Sequence, residues 1–406
     1  LLVSLAPPWL AGGGATDDAG RAAQATADTG HATVAEIDRA VAGGLDHLSG
    51  ARDDHGRWPY RRSRSADLDD SEEVPAQVFP ALHVLVTLSV VPEVTDAWVE
   101  PTRAWLLDQM EPDWVWSTDG REHPLAFRVG DEPCWLEPDI ESTTLGLALF
   151  GRRLGLDAAA LEAARRRFEP YRLPSGLYRT WFDDYYGERG CPAYDHQDRA
   201  SVGSNLHVLG WLEGNGLDAT ELVAGLGRAV AVERFWEDAV YYRSLPMLAH
   251  LASNAVSMGS RSAEPLLARL LELDADPRTA RDPSALRTAD LAAWIQATEH
   301  LCRLRRSRCD EAAAAAVDEL LARRQADGGW PASGIFVSEI TEQSFAREIY
   351  PRVRDALLAR TGRAPTLEQA LAHADLGRHY YGSRAESTAL AVRALHEHRS
   401  TRSGPR

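Results

Sequence analysis

No lysine occurs anywhere in the 406-residue chain; all 44 basic residues are arginine. That excludes lysine Schiff-base chemistry and the phosphate-gripping lysine of P-loop enzymes. Any anion would have to be met by guanidinium groups, whose planar fork suits phosphate. Cysteine is almost as scarce, at 4 residues. Cys134, Cys191, Cys302 and Cys309 form no CxxC pair, which argues against a zinc knuckle or a thioredoxin-like site. All four are read as reduced thiols of a cytoplasmic protein, with Cys302 and Cys309 spaced for one helix face. No apolar run reaches the roughly 18 residues of a membrane span, which leaves peripheral membrane contact open. Positive charge is outweighed by 60 acidic residues, giving a net charge of −16. Nucleic acid is therefore excluded as a partner, because a duplex requires a basic face to displace its counterions.

What is present is a soluble-globular composition, 44% apolar and 26% charged. Residues 1–30 are rich in Ala and Gly and lack the basic region of a secretory signal, so a disordered or loosely attached lead-in is expected. Residues 31–400 are expected to form a single domain. Sustained strand-type alternation is missing, whereas stretches such as 159–168, 266–273 and 312–324 space their apolar residues for one helix face. The fold class is all-α.

Self-similarity organises the helices. A serine preceded by acids and followed by an apolar helical pattern recurs at Asp67-Leu68-Asp69-Asp70-Ser71, Asp139-Ile140-Glu141-Ser142, Asp198-Arg199-Ala200-Ser201 and Arg384-Ala385-Glu386-Ser387. Weaker copies begin near Ser244 and near Asp290. Between them recurs a helix ending in a Gly/Trp turn, clearest in Gln325-Ala326-Asp327-Gly328-Gly329-Trp330. Degraded versions end at Trp58, Trp116 and Tyr178. Glycine adopts the left-handed conformation that ends a helix, and the ring plugs the gap between hairpins. Six hairpins close into an (α/α)6 barrel, which buries every inner helix without exposed ends. Ser, Thr and acids are also what a helix N-terminus prefers, so the pattern has a purely structural reading too.

On Gln325–Trp330 and on Pro138-Asp139-Ile140-Glu141-Ser142-Thr143-Thr144 the chain resembles the squalene–hopene cyclase and class II terpene cyclase superfamily. The first stretch is similar to that family's QW repeat. The second is similar to its Asp-x-Asp-Asp-Thr-Ala catalytic segment. The resemblance implies a terpenoid cyclase-like toroid that protonates a linear isoprenoid, or its diphosphate, and cyclises it in an apolar cavity. By this likeness Glu141 is the proton donor, Asp139 its hydrogen-bonding neighbour, and Thr143 keeps the family's polar position. Two departures stand out: the central Asp is Glu141, and the following acid is Ser142. Asp67, Asp69 and Asp70 form a second, literal Asp-x-Asp-Asp with Asp69 as donor, but Arg61, Arg62 and Arg64 just upstream favour ionised carboxylates. Both acid motifs remain candidates.

Trp58, Trp135, Tyr380 and Tyr381 are candidate walls for a carbocation or flat ligand, and Arg61, Arg62 and Arg64 candidate anchors for a diphosphate. Protonation requires no cofactor; Mg²⁺ would enter only with a diphosphate substrate. Asp183-Asp184 resembles the aspartate-rich Mg²⁺ motif but lacks a downstream partner motif and reads as a solvated turn. Asp195-His196 and Asp198 beside Cys191 lack the spacing of a zinc site. Residues 333–377, rich in charge, are an insertion that fits a lid, a decorative hairpin or a partner surface. Two other functions remain: a carbohydrate-active (α/α)6 enzyme with paired carboxylates, and a non-catalytic toroid binding an apolar ligand. The latter predicts an arginine-paired or exposed Glu141.

Overall fold

The computed structural model describes residues 31–403 apart from 122–124, 130–131, 135, 152–153, 183–184, 187–199, 233–234, 237–240, 276–285, 306–310, 341–344, 373 and 375. From Ala32 onward the chain is one compact unit. Its helices alternate between two kinds, and burial separates them. In α2 (Val78–Leu88) every residue is buried, and α4 (Ile140–Phe150), α6 (Val202–Gly214), α8 (Leu245–Ser257), α10 (Thr288–Leu304) and α14 (Arg384–Ser403) are buried over most of their length. Helices that are apolar nearly all round have to be interior. Each packs on the next in that order, and α14 closes the ring on α2.

The intervening helices α1 (Val34–Gly50), α3 (Asp96–Asp108), α5 (Ala158–Phe168), α7 (Thr220–Val230), α9 (Ala263–Asp274) and α11 (Glu311–Ala322) form the outer layer. In α1 and α7, for example, apolar residues keep to one face, with Ile37, Val41 and Leu48 or Leu222 and Leu226 inward. Capping sets the helix starts: Asp139, Ser201 and Ser244 each accept the backbone N–H three residues on. A side-chain acceptor there satisfies one of the helix's orphan donors.

A repeated fastening joins the layers. Trp58, Trp116 and Trp330 each donate their indole N–H to the carbonyl ten residues earlier, on Leu48, Leu106 and Leu320, at 2.7–2.8 Å. These carbonyls lie in the last turns of α1, α3 and α11, where no intrahelical donor is left. The backbone N–H of Trp116 is in turn held by Thr143 Oγ1, and that of Trp330 by Thr388 Oγ1, each in the first turns of the following inner helix. Gly328 takes φ +90° in the Trp330 turn, where an added Cβ would strike the Gly43 backbone.

Strands are few. β1 (Tyr60–Ser63), β2 (Glu72–Val74), β5 (Phe336–Ile340) and β6 (Gly377–Gly382) form an antiparallel sheet in the order β2-β1-β6-β5, and β3 (Leu125–Val129) pairs with β4 (Glu132–Cys134). Residues 333–377 therefore supply β5 and then a π-turn (Phe345–Ile349), α12 (Tyr350–Thr361) and α13 (Leu367–Leu371) before β6 leads into α14. Cys302, expected as a free thiol, is disulfide-bonded. Its helix α10 ends at Leu304, two residues past Cys302. Cys191 and Cys309 lie outside the described residues.

Candidate active site

The segment Asp139–Thr144 opens α4, and its carboxyls divide the work. Asp139 is the N-cap: it accepts the Ser142 N–H at 2.6 Å and the Thr118 hydroxyl at 2.8 Å. Burial, with the charge of Glu141 adding to it, pushes the Asp139 carboxyl up to about 7 against the pull of those hydrogen bonds. Glu141, two residues on, turns into the ring and is buried. Its Oε1 accepts the Tyr242 hydroxyl at 2.6 Å and its Oε2 the Ser204 hydroxyl at 2.9 Å. His207 Nε2 stands 3.2 Å from Oε1, outside hydrogen-bond geometry. Burial and the nearness of Glu141 hold the Tyr242 phenol well above its ordinary range, so it stays a donor. A further acid lies close by. Asp119 is buried, accepts Gln77 Nε2 at 2.7 Å, and is pushed up to about 7 by burial and by Asp139.

Aromatic rings roof these acids. Phe336 on β5 stacks on Tyr241 at 4.6 Å and contacts Phe79, Tyr242 and Tyr381 at 6.0–6.1 Å between ring centres. Tyr381 stacks in turn on Tyr60 at 6.3 Å, and Trp181 donates its indole N–H to the Tyr241 hydroxyl. Ring faces carry negative potential, so such a cluster suits a cation more than a neutral polar ligand.

Polar side chains are also buried inside the ring. Glu386, the third residue of α14, faces His83 Nδ1 at 3.4 Å and accepts the Ser383 hydroxyl at 3.2 Å. Deeper still, His250 is fixed between Gln296 and Asn254, while Arg393 pairs with Glu397 at 2.8 Å. Burial keeps His250 well below its ordinary range, so its ring stays neutral between those partners. A groove of about 440 Å³ exists on the outer wall, lined by Asp38, Leu45, Trp98, Glu93 and Arg399. It holds none of these acids.

Solved structures share the fold. A crystal structure of a protein from Actinoplanes is 17% identical, covers 89% of this chain and 99% of its own, and superposes with TM-score 0.57. The type II terpene cyclase MstE from Scytonema, solved with geranylgeranyl dihydroxybenzoate as substrate, is 13% identical over 91% of this chain and 99% of its own, TM-score 0.54. With merosterolic acid A as product, the same enzyme gives 14%, 91%, 98% and 0.57. The fold is class II terpene cyclase-like. No protein-family model and no curated protein matches the chain.

Within that cyclase-like fold the sequence-predicted residues separate. Asp67, Asp69 and Asp70 do not start an inner helix; they are exposed in the turn between β1 and β2. The first inner helix starts at Val78, and the paired strands occupy the stretch between. Arg61, Arg62 and Arg64 do not form an open cationic clamp: Arg62 pairs with Glu72, Arg61 donates to Ser71 and Arg64 to the Leu376 carbonyl. Trp58 packs between α1 and α3, with Arg52 over its ring, instead of lining the interior. Thr143 spends its hydroxyl on the Trp116 backbone, so it is a fastener. Of Tyr380 and Tyr381, which point to opposite faces of β6, Tyr381 joins the aromatic roof. Trp135, Asp183, Asp184, Asp195, His196 and Asp198 lie outside the described residues.

Sequence reasoning passed over Tyr242, Ser204, His207, His83, Asp119 and Phe336. Glu386 had a usable signal, because the repeat aligns it with Glu141, and so did His83 and His207, each six residues after the N-cap of its inner helix. Tyr242, Ser204, Asp119 and Phe336 come from separate elements.

Proposed function

We propose that the protein is a class II-type isoprenoid cyclase that starts its reaction by protonating a carbon–carbon double bond, with Glu141 as the acid. The observation that carries this is the burial of Glu141 on Tyr242 and Ser204 directly under the aromatic roof. An alkene is a feeble base, so its acid has to be kept out of water and denied a cationic partner. The adjacent Asp139, pushed up to about 7, places a second buried carboxyl within two residues. Two such groups in one buried site resist ionising together. Tyr242 orients the Glu141 carboxyl, and Phe336, Tyr241, Tyr242 and Phe79 present faces to the cation that follows.

A non-catalytic binder would leave Glu141 exposed or matched with arginine, and its hydroxyl partners argue otherwise. A glycosidase requires an open cleft between its carboxyls, whereas β5 and β6 cover this one. Protonation requires no metal. Mg²⁺ would enter only with a diphosphate on the substrate. Among the described residues no helix is long and apolar enough to cross a membrane; an apolar isoprenoid would be drawn from solution or from a membrane surface.

The test is incubation with linear isoprenols, their diphosphates and prenylated aromatic acids from monoterpene to triterpene length, followed by mass spectrometry and NMR of the products. Cyclised products from at least one class are expected. Recovery of every substrate unchanged would sink the reading.

A further inference from the structure

Glu386 and His83 have no part in starting the reaction, yet they are built as a catalytic pair. Both are buried. Glu386 Oε1 faces His83 Nδ1 at 3.4 Å, and the carboxylate is itself held by the Ser383 hydroxyl and placed by the start of α14. A carboxylate opposite Nδ1 makes that nitrogen the donor, which leaves the lone pair on Nε2. His83 Nε2 is buried and has no hydrogen-bond partner. The neighbouring His250 ring, 5.6 Å away, does not satisfy it, because both its nitrogens are committed to Gln296 and Asn254. A buried acceptor without a donor is costly unless something else comes to it.

The position suits a second chemical step. His83 on α2 and His207 on α6 flank α4, their rings 6.5 Å apart, and His207 stands against Glu141. Phe79, part of the aromatic roof, stacks on His83 at 5.8 Å. Acid and base therefore border one region of the ring from different walls.

Resting on the cyclase reading above, we propose that His83, positioned by Glu386, is the base that ends the reaction Glu141 begins, so that the product is a cyclic alkene isomeric with the substrate. In the first step the π electrons of the terminal double bond form a C–H bond to the Glu141 proton, and the O–H pair stays on the carboxylate. Ring closure consumes further π bonds and moves the positive charge along the chain. In the last step His83 Nε2 takes a proton from the carbon next to the cation. The C–H pair becomes the new double bond, and Glu386 supports the imidazolium. One proton enters and one leaves, with no water added.

The experiment compares wild type, His83→Gln and Glu386→Gln on whichever substrate the wild type cyclises, with fold checked by circular dichroism. Wild type is expected to yield an alkene of unchanged mass. In the variants, the alkene should fall by about 100-fold relative to products heavier by one water or terminated elsewhere, the usual contribution of a positioned base, while substrate consumption persists. A merely structural role would slow consumption without moving that ratio. Glu386→Gln keeps the side chain's shape if His83→Gln does not fold, and the mass of the wild-type product is informative without either variant. A wild-type product that carries water, or variants with the wild-type alkene ratio, would overturn the assignment. A wild type that cyclises nothing would instead sink the cyclase reading.

Discussion

Asp119 offers a sharp test of the electrostatics around the acid. Its carboxyl is only 5% exposed; Oδ1 accepts from Gln77 and Oδ2 has no partner. Burial, then the charge of Asp139, raises it from 3.8 to about 7. A group with a raised folded pKa favours folding while it is protonated. The contribution is therefore fully present below pH 3.8 and is lost as the pH rises through about 7. The full difference corresponds to about 4 kcal/mol. Asp119→Asn cannot ionise, so it should lack this loss altogether. Its amide puts an NH₂ where Oδ2 has no partner, a constant offset at every pH of about 1–3 kcal/mol for each unpaired N–H. The informative quantity is accordingly the change in stability between pH 4 and pH 8, which cancels that offset. Urea unfolding followed by tryptophan fluorescence should show the variant gaining about 4 kcal/mol on wild type across that interval. Parallel pH profiles for the two proteins would refute the reasoning and mean that Asp119 is already ionised near pH 4.

Two further substitutions probe neighbouring parts of the account. An added Cβ at Gly203 on α6 would overlap the Tyr242 ring, so Gly203→Ala should lower cyclisation by about 10-fold or more through loss of the Tyr242–Glu141 contact, measured as initial rate beside an intact circular dichroism spectrum; an unchanged rate would remove Tyr242 from the mechanism. Trp330→Phe leaves the Leu320 carbonyl without its indole donor and opens space in a fully buried site, and should cost about 2–3 kcal/mol in chemical denaturation, with no effect counting against the fastening between layers.

The ring was legible because its signals are local. Asp139, Ser201, Ser244 and the start near Asp290 are read from caps and apolar helical spacing, and each coincides with an inner-helix start. The copy at Asp67 failed for a physical reason. Acids before an apolar run fit a turn between strands as well as a helix start, and β1 is held by β6, more than 300 residues away. No local pattern reports such a pairing. Trp58 reads as a ligand wall and Thr143 as the family's polar position, but the Trp58 indole satisfies a carbonyl at the end of α1 and the Thr143 hydroxyl accepts the Trp116 backbone N–H. Tyr242, Ser204 and His83 meet their carboxyls only through ring closure. Glu386 was visible in the repeat, yet nothing in sequence spacing ties it to His83 on α2.

The central claim is that the proton which starts the reaction comes from Glu141, and solvent isotope labelling tests it directly. The Glu141 proton exchanges with water between turnovers, so wild type working in D₂O should deliver one deuterium to the ring methylene made from the CH carbon of the terminal double bond, the end whose protonation leaves the tertiary cation. Glu141→Gln, which keeps the shape and cannot donate that proton, should form no cyclised product above the enzyme-free background. Labelled product from Glu141→Gln at the wild-type rate would contradict the account.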